Sequence, residues 1–284
     1  MDLDRITNPL RLAKGSHQPR SGKGCAMNAI SYINGDPEIT DFPACSARPL
    51  AALVQSCNDL LAGPDGYLSP DNSVLALELG WQTVGTGNVS DAVIHAWVAE
   101  LLTSPTWGVA RHTKTAAVKA IFDIAELHRT VASGGMPPIA AWDAADRAAR
   151  AAALASTTSP TLDAAGLYAL RAAYQSTAVV GADQDAKLDA VTGNALRAHE
   201  LATEGSGAAC MVEVTRQAIR SWRRLAGLNN PGNISHGSAD TFVQSSGPAS
   251  TADHVGYSML ETASGERRNH REYALTTAGP LPVA

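Results

Sequence analysis

Cys25 follows Ser21-Gly22-Lys23-Gly24 and opens a run of helix-forming residues, which places its thiol at a helix N-terminus. There the helix dipole and Lys23 would lower the thiol pKa and favour the thiolate, the form that attacks electrophiles. Such a nucleophile needs a base beside it, and His95, His112 and His128 are the candidates, each on a distant helix. A small apolar core cysteine is the commoner fate of such a residue. A cysteine-dependent enzyme with Cys25 as nucleophile is therefore the alternative reading rather than the first.

A second group of residues could bind. Arg216, Arg220, Arg223 and Arg224 fall at i, i+4, i+7 and i+8, opposite Val212, Ile219, Trp222 and Leu225. That spacing puts four guanidinium groups on one helical face, able to meet phosphates or an acidic partner. The segment from Asp36 to Asp41 is an acidic counterpart elsewhere in the chain.

Other chemical signatures are incomplete. Gly22-Lys23 is followed by Gly24 and preceded by His17 where a phosphate-binding loop needs a hydroxyl residue and a glycine. Gly85-Thr86-Gly87 begins a dinucleotide fingerprint that stops at Ser90. Cys25, Cys45 and Cys57 lack the close pairing that nucleates a zinc site, even with His17 added. Asp183, Asp185 and Asp189 start like a calcium loop, but Lys187 and Leu188 stand where a ligand and a glycine belong. No metal and no cofactor is expected.

The elements that must carry these residues read as helices. One spans about 25–34, with Met27, Ile30 and Ile33, and stops at Gly35. Pro49 starts another that ends at Leu61, before Gly63-Pro64, with Leu50, Leu53, Val54, Leu60 and Leu61 on its buried face. A short apolar stretch, Val74 to Trp81, comes before Gly85. Ser90 is placed to cap a helix bearing Val93, Ile94, Trp97 and Leu101. Val118, Ile121, Phe122 and Ala125 repeat the pattern up to Gly134-Gly135, and Pro137-Pro138 restarts it with Asp143–Arg147 and Asp146–Arg150 pairs. Three more helices are expected over about 162–177, 184–201 and 208–225, the last closed by Gly227.

Strand-like alternation is almost absent. The expected fold is all-α: an Ala-rich multi-helix bundle over 25–228, preceded by a polar arm, 1–24, and followed by a polar, mostly irregular tail, 229–284. That tail is rich in Ser, Gly, Thr and Pro, and one hairpin near Val255–Leu275 would turn at Ser264-Gly265. Its composition suits a segment ordered by a partner.

Composition narrows the setting. Hydrophobic residues make up 45% of 284, enough for a core, so disorder throughout is excluded. The net charge of −5 gives no global pull towards nucleic acid or an anionic membrane. The N-terminal residues lack the apolar run of a signal peptide, and the apolar stretches elsewhere are broken too soon to span a bilayer. Four cysteines are too few for a disulfide scaffold. A cytoplasmic protein without membrane association is expected. The 51 alanines, and 17 arginines against 5 lysines, suggest a high-GC genome.

The run Gly24-Cys25-Ala26-Met27-Asn28-Ala29 through Gly35-Asp36-Pro37, then Thr40-Asp41-Phe42-Pro43-Ala44-Cys45, Ala51-Ala52, Asn58-Asp59 and Gly85-Thr86, resembles a family of uncharacterised proteins from actinobacteria and their phages. Its pattern is Cys-x-Met-Glu-Ala, a Gly-Glu/Asp turn, Asp-x-Pro-x-Cys and an Ala-rich helix ending near Asn-Asp. The resemblance covers residues 24–87 and implies a lineage rather than a reaction. Asn28 stands where the family has Glu, so a catalytic acid or base at that position would be missing here.

Together these readings favour a non-catalytic cytoplasmic helical protein that binds another macromolecule, of phage or prophage origin. A protein is the expected partner, bound through Arg216, Arg220, Arg223, Arg224 and the Asp36–Asp41 segment. Nucleic-acid binding through the arginine helix is the weaker alternative.

Overall fold

Proline, glycine and short polar residues cut the chain into helices close to the expected places. In this computed structural model, the described residues are 11–15, 22–157, 163–179, 184–203 and 207–228, the side chains of Thr115 and Ala116 excepted. Among them the helices are α1 (Ala26–Asn34), α2 (Arg48–Leu61), α3 (Pro70–Gln82), α4 (Asp91–Thr103) and α5 (Thr115–Ala132). They continue with α6 (Ile139–Thr157), α7 (Ala164–Ser176), α8 (Gln184–Ala202) and α9 (Gly207–Leu225). A 3₁₀ turn, Val109–His112, joins α4 to α5. The all-α fold class holds. The tail 229–284 and its hairpin lie outside the described residues.

Helix ends follow local chemistry. Gly35 closes α1 at φ +78°, a left-handed conformation that side chains resist. Pro49 and Pro70 occupy the first turns of α2 and α3, where a missing N–H costs nothing. The stretch Val74–Trp81 proves to be the body of α3, which starts earlier than its apolar residues do. Ser69 caps it by accepting the Asn72 N–H at 3.2 Å.

Packing is tight because the facing residues are small. Ala145, Ala149 and Ala153 recur every fourth residue on α6, and Ala165, Ala169, Ala172 and Ala173 line the buried side of α7, which packs against it. Gly80 on α3 lets α1 approach: a Cβ there would lie 3.0 Å from Ile30. α9 packs against α2, α3, α4 and α8, so its apolar face becomes the centre of the unit. Trp222 on α9 meets Trp97 on α4 edge-on at 5.3 Å. Each indole N–H finds a carbonyl: Trp97 donates to Ala218 at 2.9 Å and Trp222 to Thr86 at 3.2 Å.

The described residues of the arm include a short strand pair. Arg11–Leu12 (β1) pairs in parallel with Lys23–Gly24 (β2). Leu12 and Ala13 also pair with the Gly66–Leu68 loop, where the Leu68 N–H donates to the Leu12 carbonyl at 2.9 Å. Phe122, expected on the apolar face of α5, is 44% exposed, while its neighbour Ile121 is fully buried. No helix among the described residues is long and apolar enough to cross a membrane.

Candidate functional site

Cys25 sits at the N-terminus of α1, as expected, but its chemistry is reversed. The residue is fully buried. Its Sγ–H donates to Asp41 Oδ1 at 3.3 Å. Burial and the Asp41 carboxylate push the thiol up to about 12, although the Asn28 and Met27 amides favour the thiolate. Lys23, expected to help lower it, holds its ammonium 5.1 Å from the Tyr67 ring centre. At neutral pH Cys25 is a protonated donor, so a thiolate nucleophile is not what this geometry prepares.

Asn28 completes the arrangement. Its carboxamide oxygen accepts the Cys25 backbone N–H at 3.0 Å and its Nδ2 donates to Asp41 Oδ1 at 2.9 Å. Gln55 from α2 donates to Asp41 Oδ2 at 3.1 Å. The first N–H groups at the start of α1 are met by Asn28 and Asn58, while Asp41 holds the turn through side chains. Glu at position 28 would keep the bond to the Cys25 N–H but would set a second carboxylate against Asp41.

The other distinctive residues of this region are joints too. Asn58 accepts the Ala26 N–H at 3.2 Å and donates to the Ala13 carbonyl at 3.0 Å. Asp59 accepts the Gly15 N–H at 2.9 Å. Thr86 accepts the Ala47 N–H at 2.9 Å, and Asp36 accepts from Ser31 and Asn34 at 2.8 and 2.6 Å. The Asn34 and Ser31 bonds hold the Asp36 carboxyl below its ordinary range. Asp36 and Asp41 both fold back onto α1, and neither is an outward-facing acidic patch.

The arginine face is placed as its spacing predicts, away from buried Trp222, while buried Val212, one turn before Arg216, lies at its edge. Among the described residues, three of its four guanidinium groups find hydrogen-bond or ion-pair partners. Arg216 binds Glu213 at 3.0 Å and Glu78 of α3 at 3.4 Å. Arg223 donates to the Gln82 and Val84 carbonyls at 3.4 and 3.1 Å. Arg224 pairs with Glu100 of α4. Arg220 is exposed and acts electrostatically on Glu213. The two anchors to α3 bracket Arg220 on one helix and Trp81 on the other. Trp81 is 59% exposed and Val74, on the same face seven residues earlier, is 64% exposed.

The histidines proposed as bases for Cys25 pair with other histidines instead. His95 of α4 and His128 of α5 approach Nδ1 to Nδ1 at 2.8 Å. His112, ending the 3₁₀ turn, places Nε2 2.7 Å from Nδ1 of His199 on α8. His128 Nε2 also lies 3.0 Å from Ser176 Oγ, in the order nucleophile, base, orienting residue. That order is not activated, because the Ser176 hydroxyl donates to the Ala173 carbonyl at 2.7 Å and is wholly buried. Sequence reading missed this pairing, which joins residues on different helices and leaves no local trace. Among the described residues, no three His, Cys, Asp or Glu side chains are grouped to hold a metal.

Compared with family models, curated proteins and solved structures, the chain matches none.

Proposed function

We propose that this chain is a non-catalytic, cytoplasmic helical protein of phage or prophage lineage that acts by binding a protein partner through the ridge formed by α3 and α9. The supporting observation is the exposed Trp81, set between the two places where arginines of α9 grip α3, with exposed Val74 on the same face of α3 and exposed Arg220 between the gripping arginines of α9. Tryptophan and arginine dominate the energetics of protein interfaces, and a large apolar side chain left in water favours burial against a partner. The arginines that pair within the chain brace the ridge, which revises their expected role: Arg220 makes the contact while Arg216, Arg223 and Arg224 position it.

The Cys25 enzyme reading gains no support from a buried, protonated thiol held by Asp41. Nucleic-acid binding gains little, since Arg216 and Arg224 are already neutralised by carboxylates.

The test is affinity capture from host cells with the wild-type chain, Trp81→Ala and Arg220→Glu, quantified by mass spectrometry. A protein retained by wild type and lost at least tenfold with both variants is the expected result. The same proteins retained equally by all three chains would overturn the proposal.

A further inference from the structure

We infer that the corner where Arg11, Lys14 and Lys23 gather round Tyr67 is a binding site for a small polyphosphate, the di- or triphosphate group of a free polyphosphate or of a nucleotide. It uses none of the residues of the α3–α9 ridge.

The backbone fixes this corner. Arg11–Leu12 pairs in parallel with Lys23–Gly24, and Arg11 and Lys23 stand directly across from each other. On its other side the same segment meets the 66–68 loop. Ala13 bridges to Tyr67, and the Lys14 N–H donates to the Gly66 carbonyl at 3.0 Å. Leu12, Ala13, Gly24 and Leu68 are buried, whereas Arg11, Lys14 and Lys23 are exposed.

On the exposed side the cations converge. The Arg11 guanidinium carbon lies 4.1 Å from the Tyr67 ring centre, and the Lys23 ammonium 5.1 Å from it. The Lys14 stem runs against Gly66, where a Cβ would lie 3.7 Å from Lys14 Cε. Gly66 itself turns at φ +79°, a conformation that a side chain resists.

Like charges held side by side repel, and the acids of the corner do not answer them. Asp65 Oδ1 accepts the Tyr67 N–H at 3.1 Å, and Asp59 Oδ1 accepts the Gly15 N–H at 2.9 Å. Among the described residues, Arg11 and Lys14 form no ion pair. A multiply charged anion relieves the repulsion. A guanidinium takes a phosphate through two parallel N–H groups, and the lysines add point charges beside it. The ring holds the cationic stems in place, so the site is set before its ligand arrives.

The size of the ligand follows from the rest of the chain. Its net charge of −5 opposes an extended polyanion such as a nucleic acid or an anionic membrane, while a short phosphate chain meets the positive corner alone. The site is also distinct from a phosphate loop at a helix start, although Gly22-Lys23-Gly24 stands just before α1. The first N–H groups of α1 are met by Asn28 and Asn58, and the Lys23 ammonium lies by Tyr67.

The test is isothermal titration calorimetry of the full chain with sodium tripolyphosphate in low salt. Saturable binding is expected, weakened about fivefold or more by each of Arg11→Gln, Lys14→Gln and Tyr67→Ala. Tyr67→Phe, which keeps the ring, and Lys119→Gln, on an exposed lysine of α5, should bind as wild type does. ATP should bind at least tenfold more tightly than AMP, because the phosphate chain is what the corner reads. No saturable binding of tripolyphosphate, equal affinity in wild type and the three weakened variants, or equal affinity for ATP and AMP would overturn the inference. So would tighter binding, per phosphate, to a single-stranded oligonucleotide or to phosphatidylserine vesicles. If Tyr67→Ala fails to fold, the two exposed positions, Arg11 and Lys14, decide.

Discussion

Asp41 accepts both the Cys25 thiol and the Asn28 carboxamide on one oxygen, at 3.3 and 2.9 Å. This relationship makes an N-terminal helix cysteine into a joint between α1 and the following loop. It predicts slow alkylation of Cys25. With native protein at pH 8, iodoacetamide should modify the half-exposed Cys45 and Cys210 at least tenfold faster than the buried Cys25 and Cys57. Peptide mass spectrometry over time measures this, and fastest labelling at Cys25 would contradict it.

Asn28→Glu should place a like charge beside Asp41 and raise the pKa of one carboxyl in the folded state. A raised folded-state pKa gives stability that is present at low pH and lost as pH rises through it. Denaturant unfolding should therefore show the variant to be about 1–3 kcal/mol less stable than wild type at pH 8 and closer to it at pH 5.

Gly108 leaves no room for a side chain, since a Cβ would lie 2.3 Å from the Ser104 nitrogen. Gly108→Ala should cost about 3 kcal/mol or more, because backbone must shift rather than a side chain tip. Trp81→Ala, by contrast, should stay within about 0.5 kcal/mol of wild type, being exposed. Thermal melts of the two variants separate these outcomes.

Acid should destabilise the folded domain. Each deeply buried histidine lowered from 6.5 to about 3 forfeits stability as pH falls below 6.5. At pH 5 that amounts to about 2 kcal/mol for each. A urea midpoint unchanged from pH 7 to 5 would contradict the burial of His128 and His199.

The helices were legible because their punctuation is local: Gly35, Pro49 and Gly227 each act within a few residues, while Ser90 stands at the start of α4 without a side-chain capping bond. α3 was only half legible. Its apolar residues begin at Val74, although Ser69-Pro70 already carried the start signal. Phe122 misled because it follows buried Ile121 by one residue, about 100° round the helix, and which edge of the apolar stripe is covered depends on where neighbouring helices lie. The site was legible in placement but not in charge state. Cys25 was located correctly, yet its pKa depends on Asp41, and the arginine face depends on Glu78 and Glu100, which lie 138 and 124 residues away in the chain. Such partners are set by packing, which periodicity does not encode.

The central claim is that α3 and α9 present a binding ridge at Trp81. The most direct measurement replaces Trp81 with a photo-crosslinking amino acid and, as a control, does the same at Ile139, which is 79% exposed at the start of α6. Irradiation in host cells should give one dominant protein adduct at position 81 and none at 139. Equal adducts at both positions, or none at 81, would contradict the account.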